Sequence, residues 1–133
     1  MLDKKLKILI IDDDEINNFI ATKLISRIEP VADVFTCLNG AEGIDFLANH
    51  INEPDELPDV ILLDINMPIM NGWEFVEKFS TIDESQRKDI EVYMVSSSID
   101  PEDIEKANKL KEIKEYIIKP IDLNKLIKIF GLE

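Results

Sequence analysis

Short apolar runs alternate with amphipathic segments along the whole chain, and this alternation constrains the fold more than any other feature. Leu6–Ile11 is an almost continuous apolar run, as expected for a strand covered on both faces. Ile16, Phe19, Ile20, Leu24 and Ile28 then recur at helical spacing, and Pro30 ends that segment. Val31–Leu38 is rich in β-formers. Asn39 can cap a helix carrying Ala41, Ile44, Leu47 and Ala48 on one face. His50–Pro58 and Thr81–Asp89 read as loops around a wholly apolar Val60–Leu63 and a short helix bearing Trp73, Val76 and Phe79. Ile90–Val95 is a fourth strand. Asp100 and Pro101 open a helix whose buried side is Ile104, Ala107 and Leu110. Tyr116–Ile118 is a short fifth strand. Leu123, Leu126, Ile127 and Phe130 form a last amphipathic helix, with Gly131 near its end. Strands separated by helices imply right-handed β-α-β crossovers and a parallel sheet, an α/β architecture with helices on both faces.

Composition narrows the function. The 133 residues suit one domain, and 45% hydrophobic content supplies a core. Lys+Arg 15 against Asp+Glu 28 gives a net charge of −13. A surface this acidic repels phosphate backbones and argues against direct nucleic-acid binding. Lys4, Lys5 and Lys7 precede an apolar stretch, but Ile8–Ile11 is too short for a signal sequence and runs into Asp12, Asp13 and Asp14. No run approaches the ~20 residues of a membrane span. Cys37 has no partner for an internal disulfide, and the single histidine, His50, cannot build a His-rich metal site. A cytoplasmic protein away from membranes is the expectation.

An open parallel sheet binds ligands at the carboxyl ends of its strands. Asp12, Asp13, Asp14 and Glu15 follow the first strand, and Asp64 follows the third. Ser96, Ser97 and Ser98 follow the fourth, and Lys119-Pro120 the fifth. Clustered carboxylates raise each other's pKa unless a hard dication neutralises them. Mg²⁺ prefers oxygen ligands, usually one or two carboxylates plus phosphate oxygens. Ser96 can donate to a phosphoryl oxygen and Lys119 can pair with it. Asp64, central among the strands, is the best candidate for a carboxylate nucleophile.

With those residues in view, the chain resembles the receiver domain of two-component response regulators, most closely the stand-alone, chemotaxis-regulator-like kind. Ile8-Leu9-Ile10-Ile11-Asp12-Asp13-Asp14 looks like the first strand and acid pair of that family. Leu62-Leu63-Asp64-Ile65-Asn66-Met67-Pro68-Ile69-Met70-Asn71-Gly72 looks like its phosphoacceptor strand and following loop. Met94-Val95-Ser96-Ser97 and Tyr116-Ile117-Ile118-Lys119-Pro120 supply the remaining signatures. The resemblance implies a single doubly wound five-stranded parallel sheet in the order 2-1-3-4-5, one receiver-like domain over residues 1–133, and no output domain. It implies phosphorylation on Asp64, assisted by Ser96 and Lys119. It further implies Mg²⁺ held by Asp12, Asp13, Asp64 and the backbone carbonyl of Asn66, and a cis peptide between Lys119 and Pro120. Ser96 and Tyr116 resemble the switch pair, acting on a surface made by the fourth helix, fifth strand and fifth helix. The implied phosphodonor is a histidine kinase or His-containing phosphotransfer domain, docking near Ile16, Ile20, Pro120 and Ile121; a further downstream protein is implied. Glu112 and Ile113 stand where the family usually carries Gly-Ala, and Ser96 replaces the commoner Thr.

Two other functions share some of these features. The Asp12-x-Asp14 spacing suits a Mg²⁺-dependent phosphatase of the haloacid-dehalogenase type, although Glu15 departs from that pattern. A phosphorylation-independent interaction domain on the same fold is the third reading. Asp12–Glu15 can equally be an acidic helix start, and the metal ligand next to Asp12 is either Asp13 or Asp14. Met67 and Met70 read as loop packing, Cys37 as a small buried residue, and Glu102, Asp103 and Glu105 as an acidic helix turn. His50 reads as a solvated side chain without a role.

Overall fold

The structure, a computed structural model, describes residues 5–29, 32–87 and 89–130. The elements run β1 (Lys7–Ile11), α1 (Glu15–Ile28), β2 (Asp33–Cys37), α2 (Gly40–His50), β3 (Val60–Leu63), α3 (Gly72–Phe79), α4 (Glu84–Arg87), β4 (Glu91–Ser96), α5 (Pro101–Asn108), β5 (Ile113–Ile118) and α6 (Leu123–Phe130). The strands form one five-stranded sheet in the order β2-β1-β3-β4-β5. Every pairing is parallel.

The period-2 alternation of the strands sorts the core into two layers. Leu9, Ile11, Ile61, Leu63, Val92 and Met94 face Leu47 of α2, Phe75, Val76 and Phe79 of α3, and Ala107 of α5. Ile8, Ile10, Val60, Leu62, Tyr93 and Val95 face Ala21 and Ile25 of α1 and Leu126 and Ile129 of α6. The three inner strands β1, β3 and β4 therefore bury side chains on both faces. At the β4–β5 edge the register shifts between Val92 and Tyr93, which pair with Ile113 and Glu115. The extra residue, Lys114, sends Ile113 into the first layer and Ile117 into the second.

Side-chain caps fix where the helices begin. Asp14 accepts from the backbone N–H groups of Ile16 and Asn17, Asn39 from Glu42, and Asp100 from Glu102. Asn71 and Glu74 form a reciprocal capping box on α3. Gly72 sits where any Cβ would overlap the Asp64 carbonyl oxygen, and its N–H donates to the Ile65 carbonyl at 2.8 Å. That close approach folds α3 back against the end of β3.

Several sequence-based boundaries move. Of the stripe Ile16, Phe19, Ile20, Leu24 and Ile28 on α1, Leu24 and Ile28 pack on the second core layer, whereas Ile16, Phe19 and Ile20 are exposed and Asn18, Ala21 and Ile25 are buried. Ala48 is exposed on α2, whose buried positions are Gly40, Gly43 and Leu47. His50 belongs to the last turn of α2, with its ring against Phe46 and Nδ1 2.7 Å from the Phe46 carbonyl. A 3-10 turn at Pro54–Glu56 and the one-turn α4 interrupt the two long loops. Helix α5 stops at Asn108, yet Leu110 still packs on the core. The fifth strand starts at Ile113 rather than Tyr116. Lys4, the helix stop at Pro30, the strand start at Val31 and Gly131 lie outside the described residues.

Candidate functional site

The parallel topology brings the ends of β1, β3, β4 and β5 to one edge of the sheet, and the acidic residues meet there. Asp12, Asp13 and Asp64 each offer a carboxylate oxygen within 4.8 Å of the others. Asp12 and Asp64 are buried, at 6% and 8% exposure, whereas Asp13 is exposed. Asp14 also lines the cleft, but its Oδ1 caps α1 and it is not part of this group. This separates Asp13 from Asp14 at the acid cluster. Asn66 lies two residues beyond Asp64, exposed in the loop to α3.

Lys119 crosses from the end of β5 to the same cluster. Its Nζ donates to Asp12 Oδ2 at 2.9 Å and lies 3.5 Å from Asp64 Oδ1. The Lys119–Pro120 peptide is cis. The Lys119 N–H donates to the Ser96 carbonyl at 2.8 Å, so β4 anchors the residue that carries the ammonium. Burial depresses the ammonium, but the bond to Asp12 and the charge of Asp64 outweigh it, and the Lys119 pKa rises. Burial and the neighbouring Asp12 push Asp64 from 3.8 up to about 6, against the opposing pull of Lys119. A carboxylate raised this far, beside two others, is under-neutralised by one lysine.

That deficit suits a hard cation, and the donor set is carboxylate oxygen throughout. Asn18, which belongs to none of the strand-end motifs, adds to the polar lining of the same cleft. It is 6% exposed and donates through Nδ2 to the Asp12 carbonyl, while its Oδ1 has no donor among the described residues. A buried acceptor beside the acids fits a hydrated ion. The only sequence signal for Asn18 is an amide embedded in an apolar helix.

The cleft holds about 520 Å³ and is lined by Asp12, Asp13, Asp64 and Lys119, with Ile20, Pro120 and Ile121 at its side. On α1 the cleft residue Ile20 is 47% exposed, and Ile16, one turn earlier, is 71% exposed. Ser96, at the end of β4, is 1% exposed, and its hydroxyl accepts from the Ser98 N–H at 3.1 Å. The Tyr116 ring packs on the first core layer, and its hydroxyl donates to the Ser98 carbonyl at 2.9 Å.

Residues 8–130 match the family described as the response regulator receiver domain. The chain belongs to that family. Nitrate/nitrite response regulator protein NarL of Escherichia coli is 36% identical over 121 residues, which cover 91% of this chain and 51% of that protein. The probable C4-dicarboxylate response regulator DctR of Bacillus subtilis is 27% identical over 126 residues, 95% of this chain and 51% of its own length. A two-component response regulator structure from Cytophaga hutchinsonii superposes with a TM-score of 0.86 at 32% identity, covering 97% of this chain and 96% of the other. The receiver domain thus spans about half the length of these two curated relatives, and it is a phosphoacceptor signalling module by family. Its five-stranded 2-1-3-4-5 sheet is the fold of those response regulators. Among the described residues no helix is long and apolar enough to cross a membrane.

Proposed function

We propose that this receiver domain accepts a phosphoryl group on Asp64 with Mg²⁺ bound beside it, and passes the change to a partner-binding surface. The observation that carries the reading is the buried Asp64 carboxylate, gathered with Asp12 and Asp13 within 4.8 Å and with the Lys119 ammonium at 3.5 Å. An Asp64 oxygen attacks the donor phosphorus; a P–O bond forms as the bond to the donor's histidine nitrogen or acetate oxygen breaks, and its electron pair leaves with the donor. Asp12, Asp13, Asp64 and the Asn66 carbonyl would hold the cation, which neutralises the charge gathering on the transferred group. Lys119 pairs with the phosphoryl oxygens once it is released from Asp64, keeping Asp12 as its anchor. Ser96 turns its hydroxyl toward the same oxygens. The domain is an acceptor that assists its own modification rather than an enzyme with turnover.

The donor we propose is a histidine kinase or His-containing phosphotransfer domain seated on Ile16, Ile20, Pro120 and Ile121. Ile20, Pro120 and Ile121 line the acidic cleft, and Ile16 is exposed one turn before Ile20 on α1. A downstream protein would read the face built from α5, β5 and α6, and the setting is cytoplasmic. Incubation with Mg²⁺ and acetyl phosphate tests the acceptor. The wild-type chain gains one acid-labile phosphoryl group only with Mg²⁺, and Asp64→Asn gains none. Equal labelling of both proteins would overturn the assignment.

A further inference from the structure

Ser98 is bonded through all three of its polar groups, and each bond runs to a different part of the domain. Its N–H donates to the hydroxyl of Ser96, the last residue of β4, at 3.1 Å. Its carbonyl accepts from the Tyr116 hydroxyl of β5 at 2.9 Å. Its own hydroxyl donates to Asp103 Oδ2 at 2.7 Å and accepts from the Asp100 N–H at 3.2 Å. Asp103 lies in the first turn of α5. An acidic first-turn residue is ordinarily a solvated partner of the helix dipole, as the exposed Glu102 beside it is. Asp103 is different: it is partly buried and spends one oxygen on a short bond to the preceding loop.

We propose that Asp103, acting through Ser98, is a positioning residue that transmits the state of Asp64 to helix α5. This rests on the phosphoacceptor reading above. The Ser96 hydroxyl oxygen accepts from the Ser98 N–H. Once rotation about χ1 swings that oxygen away from Ser98 to face Asp64, the Ser98 N–H loses its acceptor. A part-buried N–H left unpaired is costly, so the loop around Ser98 shifts to satisfy it. The Tyr116 bond ties that shift to β5, and the Asp103 bond ties it to α5. One turn further along α5, the Lys106 ammonium lies 4.5 Å from the centre of the Trp73 ring on α3. A movement of α5 therefore alters the surroundings of the chain's single tryptophan. The bistable element is the loop between β4 and α5, and the Ser98–Asp103 bond determines how much of its displacement reaches the helix.

The test uses the full chain with Mg²⁺ and beryllium fluoride, a stable phosphoryl mimic, alongside acetyl phosphate labelling. Amide hydrogen exchange over 101–108 and Trp73 fluorescence report on α5. In the wild type, both change when the mimic binds. In Asp103→Ala, acetyl phosphate labelling stays within about twofold of wild type while the α5 response falls by roughly fivefold or more. Asp103→Asn restores the response, because its amide oxygen still accepts from Ser98. Ser98→Ala repeats the loss of response by removing the hydroxyl, and serves as the test should Asp103→Ala unfold. A wild-type α5 response in the alanine variants overturns the proposal, and so does an Asn variant as defective as Ala. A wild-type protein that labels at Asp64 with no change over 101–108 overturns it as well. A wild-type protein that does not label at all overturns the phosphoacceptor reading instead.

Discussion

Replacing Asp64 by Asn is expected to stabilise the fold in EDTA-containing buffer, with a gain that depends on pH in a definite sense. Asp64 is raised from 3.8 to about 6, first by burial and then by the charge of Asp12. The native state thus holds this proton more tightly than the unfolded chain does. The favourable contribution is complete below about pH 4 and is lost as pH rises through about 6. A difference of about 2 pH units at ~1.4 kcal/mol each is worth ~3 kcal/mol against the wild type above pH 7. The Asn side chain removes that penalty, and Lys119 keeps its 2.9 Å bond to Asp12. At ~2.1 cal/mol/K per residue, a chain of 133 residues converts ~3 kcal/mol into a rise in Tm of about 10 °C. Thermal unfolding followed by circular dichroism in EDTA would show Asp64→Asn well above wild type at pH 8, and the two proteins converging near pH 4. Saturating Mg²⁺ reverses the order at pH 8, because only the intact acid cluster gains stability from the ion. An Asn variant no more stable than wild type in EDTA at pH 8 would refute the electrostatic reasoning.

Other substitutions probe separate parts of the account. Ile20→Glu places a charge on an exposed apolar rim residue and is expected to slow phosphotransfer from a His-containing donor by roughly tenfold or more. Its labelling by acetyl phosphate should be unchanged, and loss of both would count against a docking role. Gly72→Ala drives a Cβ into the Asp64 carbonyl oxygen, and denaturant unfolding should show a loss of about 2 kcal/mol or more. Ile69 holds a φ of 67° while 84% exposed, so Ile69→Asn relieves a β-branched residue from left-handed backbone. A gain of ~1 kcal/mol in the same assay is expected.

The sheet was legible in the sequence where burial is two-sided. Ile8–Ile11 and Val60–Leu63 are apolar at every position because helices cover both faces of β1 and β3. The start of the edge strand β5 is hidden in the sequence because Lys114 and Glu115 face solvent and a register shift breaks its alternation. Helix α1 shows a deeper ambiguity. Helical periodicity marks Ile16, Phe19 and Ile20 as a stripe, but it cannot tell a core face from a rim, and the buried face consists of Asn18, Ala21 and Ile25. The strand-end carboxylates and Lys119 were legible because a parallel sheet must gather strand ends at one edge. Asp13 and Asp14 were not separable on composition alone; the capping bond to α1 distinguishes them. The Ser98–Asp103 contact was invisible, since it depends on how one loop turns before a helix rather than on any periodic pattern.

The most direct measurement maps the modified residue itself. The protein is treated with Mg²⁺ and acetyl phosphate, digested under conditions that preserve acyl phosphates, and the phosphopeptide is sequenced by mass spectrometry. The account predicts a single phosphoryl group on Asp64, dependent on Mg²⁺ and lost when Lys119 is replaced by Ala. Phosphate found on Asp12, on Asp13 or on a serine, or acquired equally well in EDTA, would contradict it.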